Sequence, residues 1–524
     1  MMNPNETPNP MRTTCCPCGC GQEHATTNLS RRGFLQGVSG AGAIGMALSG
    51  LTWSAVAAAA QTGSQNEPQR RALVVRPVLV YDIPRRRPQT SWRSWGGIQT
   101  QQDAEQEIAR IEKELAEMKE KADFPVDFAK PIGIRNAGDV AKIEDLEKAD
   151  VTIVYAAGGN AFDALAKRSK NMIFFCRHKS GPVYLWYEII SPRYLRQHTD
   201  VLKVQGIDDG DVIVDSQDEI LWRLRALCGL QNTLGTKILC VGGPGAWAQP
   251  KDVVPDLVRK VWKFDMQTVS YDELGKLIKE ARADSATVSR AKERAAKYLK
   301  GPRVKLDTKP EFVENAFLLE EVFLGLMKKA DCRAITINGC MGTIMPLAET
   351  SACLTLSLLN DAGYMAFCES DFVVIPSGVL LVNISGRPMF LNDPTYPHDG
   401  VITLAHCTGP RRMNGKDLEP VRILTHFESD YGASPKVEMH KGQMTTNIIP
   451  DFLIKRWVGL KGPIVDVPFM DICRCQIDIS FTCDSKLLAE KMPGFHWMTC
   501  YGDYMKEIGY ACKKLGIQWE DLTV

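Results

Sequence analysis

The spacing of apolar residues changes character several times along the chain, and each change marks an element. Leu73 to Tyr81 is a nearly unbroken apolar run and predicts a strand. Ile108, Ile111, Leu115 and Met118 recur at helical spacing and predict an amphipathic helix lying on a sheet. Val151 to Ala157 reads as a strand, followed by Gly158, Gly159 and Asn160 and a short helix through Leu165, and Asn171 to Cys176 reads as the next strand. This alternation across residues 70–230 predicts a first α/β layer around a parallel sheet. A second such unit opens with strand Lys237 to Val241 and the loop Gly242-Gly243-Pro244-Gly245. It continues with helix 251–263, strand 266–271, helices over 272–300 and 310–329, strand Arg333 to Asn338, helix 348–360 and strand Tyr364 to Cys368. Beyond residue 372 the pattern shortens into strand-like segments at 401–405, 421–427, 434–440 and 474–482, before a closing helix with Tyr504, Ile508, Ala511 and Leu515 on one face. The predicted fold class is therefore α/β: two Rossmann-like, doubly wound parallel-sheet domains, 61–235 and 236–375, followed by a mostly β domain, 376–524.

The first sixty residues read differently. Ser30-Arg31-Arg32-Gly33-Phe34-Leu35 precedes an uncharged Gly- and Ala-rich run from Gly37 to Ala60 that closes on Ala58, Ala59 and Ala60. This is the pattern of a twin-arginine export signal with an A-x-A type processing site, so residues 1–60 are expected to be a leader and the protein periplasmic or extracellular. The alternative is a retained anchor, since these 24 uncharged residues could span a bilayer. The glycines make the run a poor span, and no stable membrane insertion is expected. Cys15, Cys16, Cys18 and Cys20, with His24, lie ahead of the arginines and read either as part of a dispensable leader or as a metal cluster.

Composition narrows the class further. With 44% apolar and 24% charged residues among 524, the chain is an ordinary globular one. Lys plus Arg number 63 against 62 acidic residues, which gives no electrostatic case for nucleic acid as a partner. Of the seventeen cysteines, four lie in the leader, leaving thirteen. An odd number at irregular spacing in a chain that folds before export points to buried free thiols over a disulfide framework.

Ligands bind beyond the carboxyl ends of strands in open parallel sheets, which singles out polar residues that follow apolar strand runs. Glu369 follows Tyr364 to Cys368, Asp393 follows Met389-Phe390-Leu391, His406 closes Val401 to Ala405, and His496 lies in a loop before the last helix. Taken singly, such a carboxylate also serves as a helix cap or surface ion-pair partner, and such a histidine as a core residue. Together, two carboxylates and two imidazoles suit Mn, Mg, Co or Fe(II) better than a thiolate-seeking site.

The stretch from Pro346 to Pro410 resembles the active-site region of the L-fucose isomerase and L-arabinose isomerase superfamily. The match is carried by Asn360-Asp361-Ala362-Gly363, Cys368-Glu369-Ser370-Asp371 and Ala405-His406-Cys407. The segment Pro493-Gly494-Phe495-His496-Trp497 and the closing helix resemble the family's C-terminal histidine loop. The resemblance implies a fucose/arabinose isomerase-like fold, a divalent cation, most often Mn(2+), and interconversion of an aldose with its ketose through an enediol(ate). It implies Glu369 as first acidic ligand and acid/base, Asp393 as second acidic ligand and proton-transfer partner, and His496 as the late histidine ligand. His406 falls where the arabinose branch places a further histidine and the fucose branch has none. Trp497 is a candidate for the sugar-binding rim, or for simple packing. The partner implied is a small-molecule sugar, and the oligomer implied is a homo-trimer or homo-hexamer.

Two other readings stay open at this level. Gly243-Pro244-Gly245-Ala246-Trp247-Ala248 fits G-x-G-x-x-A after a strand, which suggests an NAD(P)-dependent sugar oxidoreductase. Two α/β units in an exported chain also suit a non-catalytic sugar-binding protein.

Overall fold

The structure is a computed structural model that describes residues 47–61, 70–184, 207–250 and 252–523. The paired arginines and the leader cysteines lie outside the described residues. The chain is a mixed α/β protein with two parallel sheets and a C-terminal antiparallel barrel.

The first sheet contains β1 (Leu73–Val80), β2 (Val126–Phe128), β3 (Ile132–Ile134), β4 (Val151–Ala156), β5 (Met172–Cys176) and β6 (Val212–Val214). They run parallel in the order β2-β1-β4-β5-β6, and β3 extends the β1 edge beyond β2. Val75 and Leu79 of β1 face a core that includes Ile111 and Leu115, while Val78 and Val80 face Phe162 and Leu165 on the other side. Burial on both faces is why β1, β4 and β5 read as nearly continuous apolar runs. Helix Gln101–Lys121 begins where Thr100 and Asp103 form a capping box, an arrangement that contributes about 1 kcal/mol.

The second sheet holds β7 (Lys237–Val241), β8 (Asp265–Val269), β10 (Ala334–Ile337) and β11 (Met365–Cys368) in the order β11-β10-β7-β8. Between them, β9 (Val304–Leu306) leaves this sheet to pair with β14 (Val421–His426). The strand order reverses between β7 and β10, so the loops after these strands spread apart and open a crevice at the carboxyl edge. Helices Tyr271–Ala283, Ser285–Leu299 and Pro310–Lys329 match the expected segments closely. The helix expected over 348–360 instead starts at Cys353, after a π-type turn, Cys340–Ile344, and one short helical turn.

In the third unit, β12 (Phe390–Pro394), β13 (Val401–His406), β16 (Met444–Pro450), β17 (Arg456–Asp466), β18 (Cys475–Ser480) and β19 (Trp497–Tyr501) close into a barrel. Their order is β16-β19-β12-β13-β18-β17, and β17 returns to β16. Outside this ring, β15 (Tyr431–Val437) forms a hairpin with β14, and β20 (Gln518–Asp521) adds parallel to β17. The expected short strands are present. The sequence pattern missed the helix Ile375–Ser385, whose residues are buried almost all round and so show no helical stripe. Residues 47–61, expected to belong to a leader, are packed against the second unit, with Trp53–Gln61 helical. Among the described residues no single helix is long and apolar enough to cross a membrane.

Candidate active site

The site begins with the loop after β7. Gly242 has φ +77°, and a Cβ there would lie 2.4 Å from the Tyr271 ring, so only glycine fits. The chain then runs past the end of β11. Gly245 bridges Asp371 in parallel pairing, Phe372 N–H donates to the Gly245 carbonyl at 3.1 Å, and the Ser370 hydroxyl donates to the Gly243 carbonyl at 3.2 Å. These bonds fix Glu369, Ser370 and Asp371 beside Trp247 and Asn338. Together they line a cleft of about 210 Å³ at the strand-order reversal.

The barrel supplies the other half. Asn392 of β12 pairs with Trp497 of β19 in antiparallel register, which sets Asp393 beside His496. His496 Nδ1 lies 2.6 Å from Asp371 Oδ2, and Nε2 lies 3.1 Å from Asp393 Oδ1. Asp371 is held in turn by the backbone N–H groups of Trp247 and Val373, which donate to its Oδ1 at 3.2 and 3.1 Å. His496, Asp371 and the loop after β7 thus form one hydrogen-bonded unit across two domains. Burial alone would keep the His496 ring neutral, but the carboxylates of Asp371 and Asp393 override it and lift its pKa to about 9. Asp393 Oδ1 nevertheless has no well-aligned hydrogen-bond donor, although the atom itself is buried.

The remaining candidates separate. Glu369 is half-buried and lines the cleft. Its backbone carbonyl accepts from the Thr336 hydroxyl at 3.1 Å, and its carboxylate carries no ion pair among the described residues. His406 is buried, with Nδ1 3.1 Å from Thr408 Oγ1, and forms no ion pair with Glu369, Asp371 or Asp393. Trp497 is not on a rim: it is fully buried in the hydrophobic core, which corrects its candidacy for sugar contact. The exposed aromatic face belongs to Trp247, which stacks on Phe495 with centroids 4.1 Å apart and planes 8° apart. Phe495 and Trp247 both set an edge against the His496 ring, so this pair walls the histidine from one side. Sequence reasoning missed Asp371 and Trp247, although each lay inside a motif it had singled out. All thirteen described cysteines are free thiols, as expected.

The donor set bears on the expected cation. Among the described residues no three of His, Cys, Asp and Glu converge as a ready ligand shell. The reason is geometric: Asp371 and Asp393 hold opposite nitrogens of one ring, so their oxygens diverge, and Glu369 approaches from the second domain. The pair His496 Nε2 and Asp393 Oδ1 does suit a cation, since two adjacent ligands at bonds of about 2.1 Å stand roughly 3 Å apart. Its observed separation is 3.1 Å, with an Asp393 oxygen lacking a proper donor. Asp371 on Nδ1 is the carboxylate partner that a metal-bound imidazole ordinarily has.

No known protein-family model matches the chain, and no curated protein matches it in sequence. Fold and site together define a mixed α/β protein with a small acidic cleft at the carboxyl edge of its second parallel sheet, tied to the barrel through the Asp371–His496 contact.

Proposed function

We propose that the protein is a cation-dependent aldose–ketose isomerase with a fucose/arabinose isomerase-like fold, acting on a small open-chain sugar. The observation that carries this reading is the Asp371–His496–Asp393 chain, whose Asp371 lines one cleft with Glu369 at the carboxyl edge of the second sheet. The cleft, about 210 Å³, is smaller than the roughly 300 Å³ at which drug-sized pockets begin, so it suits a monosaccharide better than a dinucleotide. The G-x-G-x-x-A loop also gives little support to a nucleotide site, because the next helix starts only at Val253 and not at the loop itself.

His496 and Asp393 would hold the cation, most suitably Mn(2+), and by the resemblance Glu369 would be its third ligand, although it does not converge with that pair in the observed arrangement. When bound, it would spread the negative charge of the enediolate. Glu369 takes the weakly acidic proton from C2 and returns it to C1, while Asp393 moves the proton between the two sugar oxygens. Each transfer by a placed carboxylate contributes on the order of 10² to 10⁴ in rate. Asp371 keeps a proton on His496 Nδ1 and so leaves Nε2 free as a donor to the cation. The exposed face of Trp247, braced by Phe495, offers an apolar wall to the carbon face of the sugar. His406 takes no part in this scheme. By the same resemblance, the working form is a homo-oligomer.

Chelator-treated protein tests the reading. Mn(2+) at about 100 times its dissociation constant is expected to stabilise the fold by about 2.7 kcal/mol, read as a rise in Tm. The same additions are expected to switch on interconversion of at least one aldose in a panel. An unchanged Tm together with no interconversion would count against it.

A further inference from the structure

The end of the expected leader makes the contacts of a built-in element. Ala47 pairs with Thr268 in parallel register and Leu48 N–H donates to the Thr268 carbonyl at 2.8 Å, which covers the edge of β8. Leu51 N–H donates to Glu273 Oε1 and Trp53 N–H to Glu280 Oε2, each at 2.8 Å. The Trp53 indole donates to Asp284 Oδ2 at 3.3 Å. Three acids therefore meet the start of helix Trp53–Gln61, where unpaired amides and the positive end of the helix dipole lie. At its other end Lys328 Nζ donates to the Ala60 carbonyl at 2.8 Å. Charge and hydrogen bonding are thus complementary at both ends.

The face between those ends fits equally closely. Trp53, Val56 and Ala57, spaced three and four residues apart, are buried. Val56 lies over Gly325 of helix Pro310–Lys329, where an added Cβ would stand 2.5 Å from both Val56 Cγ1 and its carbonyl oxygen. A glycine inside a twenty-residue helix is unfavourable unless something must approach closely, and here Val56 does.

We propose that residues 47–61 are a lasting part of the second unit, docked on helices Tyr271–Ala283 and Pro310–Lys329, and that the helix, whose Ala58 is exposed, withholds the Ala58–Ala60 processing site by its conformation and not by burial. Peptidases bind their substrates extended, whereas this stretch is helical with its Ala60 carbonyl held by Lys328. A chain exported in its folded state would keep this segment, and the uncharged run ahead of it would act as the signal.

Hydrogen–deuterium exchange on the purified full chain tests it. Amides of residues 56–60 are expected to exchange at least about 100-fold slower than in the free peptide, which corresponds to local rather than global opening. Val56→Asp is expected to abolish that protection and lower Tm. Should that variant fail to fold, Gly325→Ala keeps a good helix former in place yet collides with Val56. It is expected to lose protection at 56–60 while helix 310–329 stays protected. Incubation with purified signal peptidase supplies a second readout: the wild type stays intact and the undocked variant is cut after Ala60. Free-peptide exchange rates in the wild type, cutting of the wild type as fast as the variant, or no cutting of either would overturn the proposal.

Discussion

Glu369→Gln is expected to lower aldose–ketose turnover by about 10² to 10⁴-fold while leaving the protein folded. The substitution keeps shape and volume but removes the charge that accepts a proton and that would bind a cation. The Glu369 side chain is half-buried at the wall of the cleft, and the bond that ties this residue to β10 runs through its backbone carbonyl. Tm of the chelated variant should therefore stay within the range of surface substitutions, about 0.5 kcal/mol. The Mn(2+)-dependent rise in Tm should shrink as well, because one ligand has become neutral. Parallel measurement of kcat, of Tm with chelator and of Tm with Mn(2+) separates loss of chemistry from loss of fold.

Asp371→Ala carries the largest expected stability effect. It strips the buried His496 ring of its 2.6 Å partner and leaves the Trp247 and Val373 amides without their acceptor. Breaking one side of a buried ion pair costs about 3 to 5 kcal/mol. Asp371→Asn is milder, since its side-chain oxygen can still serve those amides, and it should reduce cation affinity or turnover by about 10 to 100-fold through the orientation of His496. The pH dependence has a definite sign. In the metal-free protein the His496 pKa rises from 6.5 to about 9, so the folded state binds this proton more tightly than the unfolded one. That contribution, on the order of 3 kcal/mol, is complete below pH 6.5 and is lost as pH rises through about 9. Urea unfolding of chelated protein at pH 6 and at pH 9.5 should show the loss, and Asp371→Asn should reduce the difference, with Asp393 supplying the remainder.

The centres of the two parallel sheets are legible because β1, β4, β5, β10 and β11 are buried on both faces and stand out as apolar runs, whereas the short, partly exposed β2, β3 and β6 are not. Helix Ile375–Ser385 was not, for the opposite reason: a helix buried all round has no stripe, and IPSGVLLVNIS reads equally well as a strand. In the site, Glu369 and Asp393 could be found as carboxylates at the ends of apolar runs. That Asp393 meets His496 depends on the β12–β19 register, a pairing between segments a hundred residues apart that no local pattern encodes. His496 does lie in a loop, but the strand that follows it, β19, is not legible, because its five residues include Thr499 and Cys500 and show no clean alternation. Trp497 reads as a sugar-facing aromatic because it stands next to His496, but it opens β19 with its ring packed in the core. Trp247 reaches the site from the far end of β7. The leader read as a separate segment because composition alone distinguishes it, whereas its packing rests on Glu273, Glu280 and Lys328 from two distant helices.

The most direct test of an isomerase built on Glu369, Asp393 and His496 is to incubate the Mn(2+)-loaded protein with a panel of aldoses in D₂O and follow C1 and C2 by NMR. A carboxylate that carries the proton from C2 to C1 exchanges it with solvent, so the expected result is a ketose carrying deuterium at C1, absent with chelator and with Glu369→Gln. No ketose from any aldose, or a ketose formed without deuterium and undiminished by Glu369→Gln, would contradict the account.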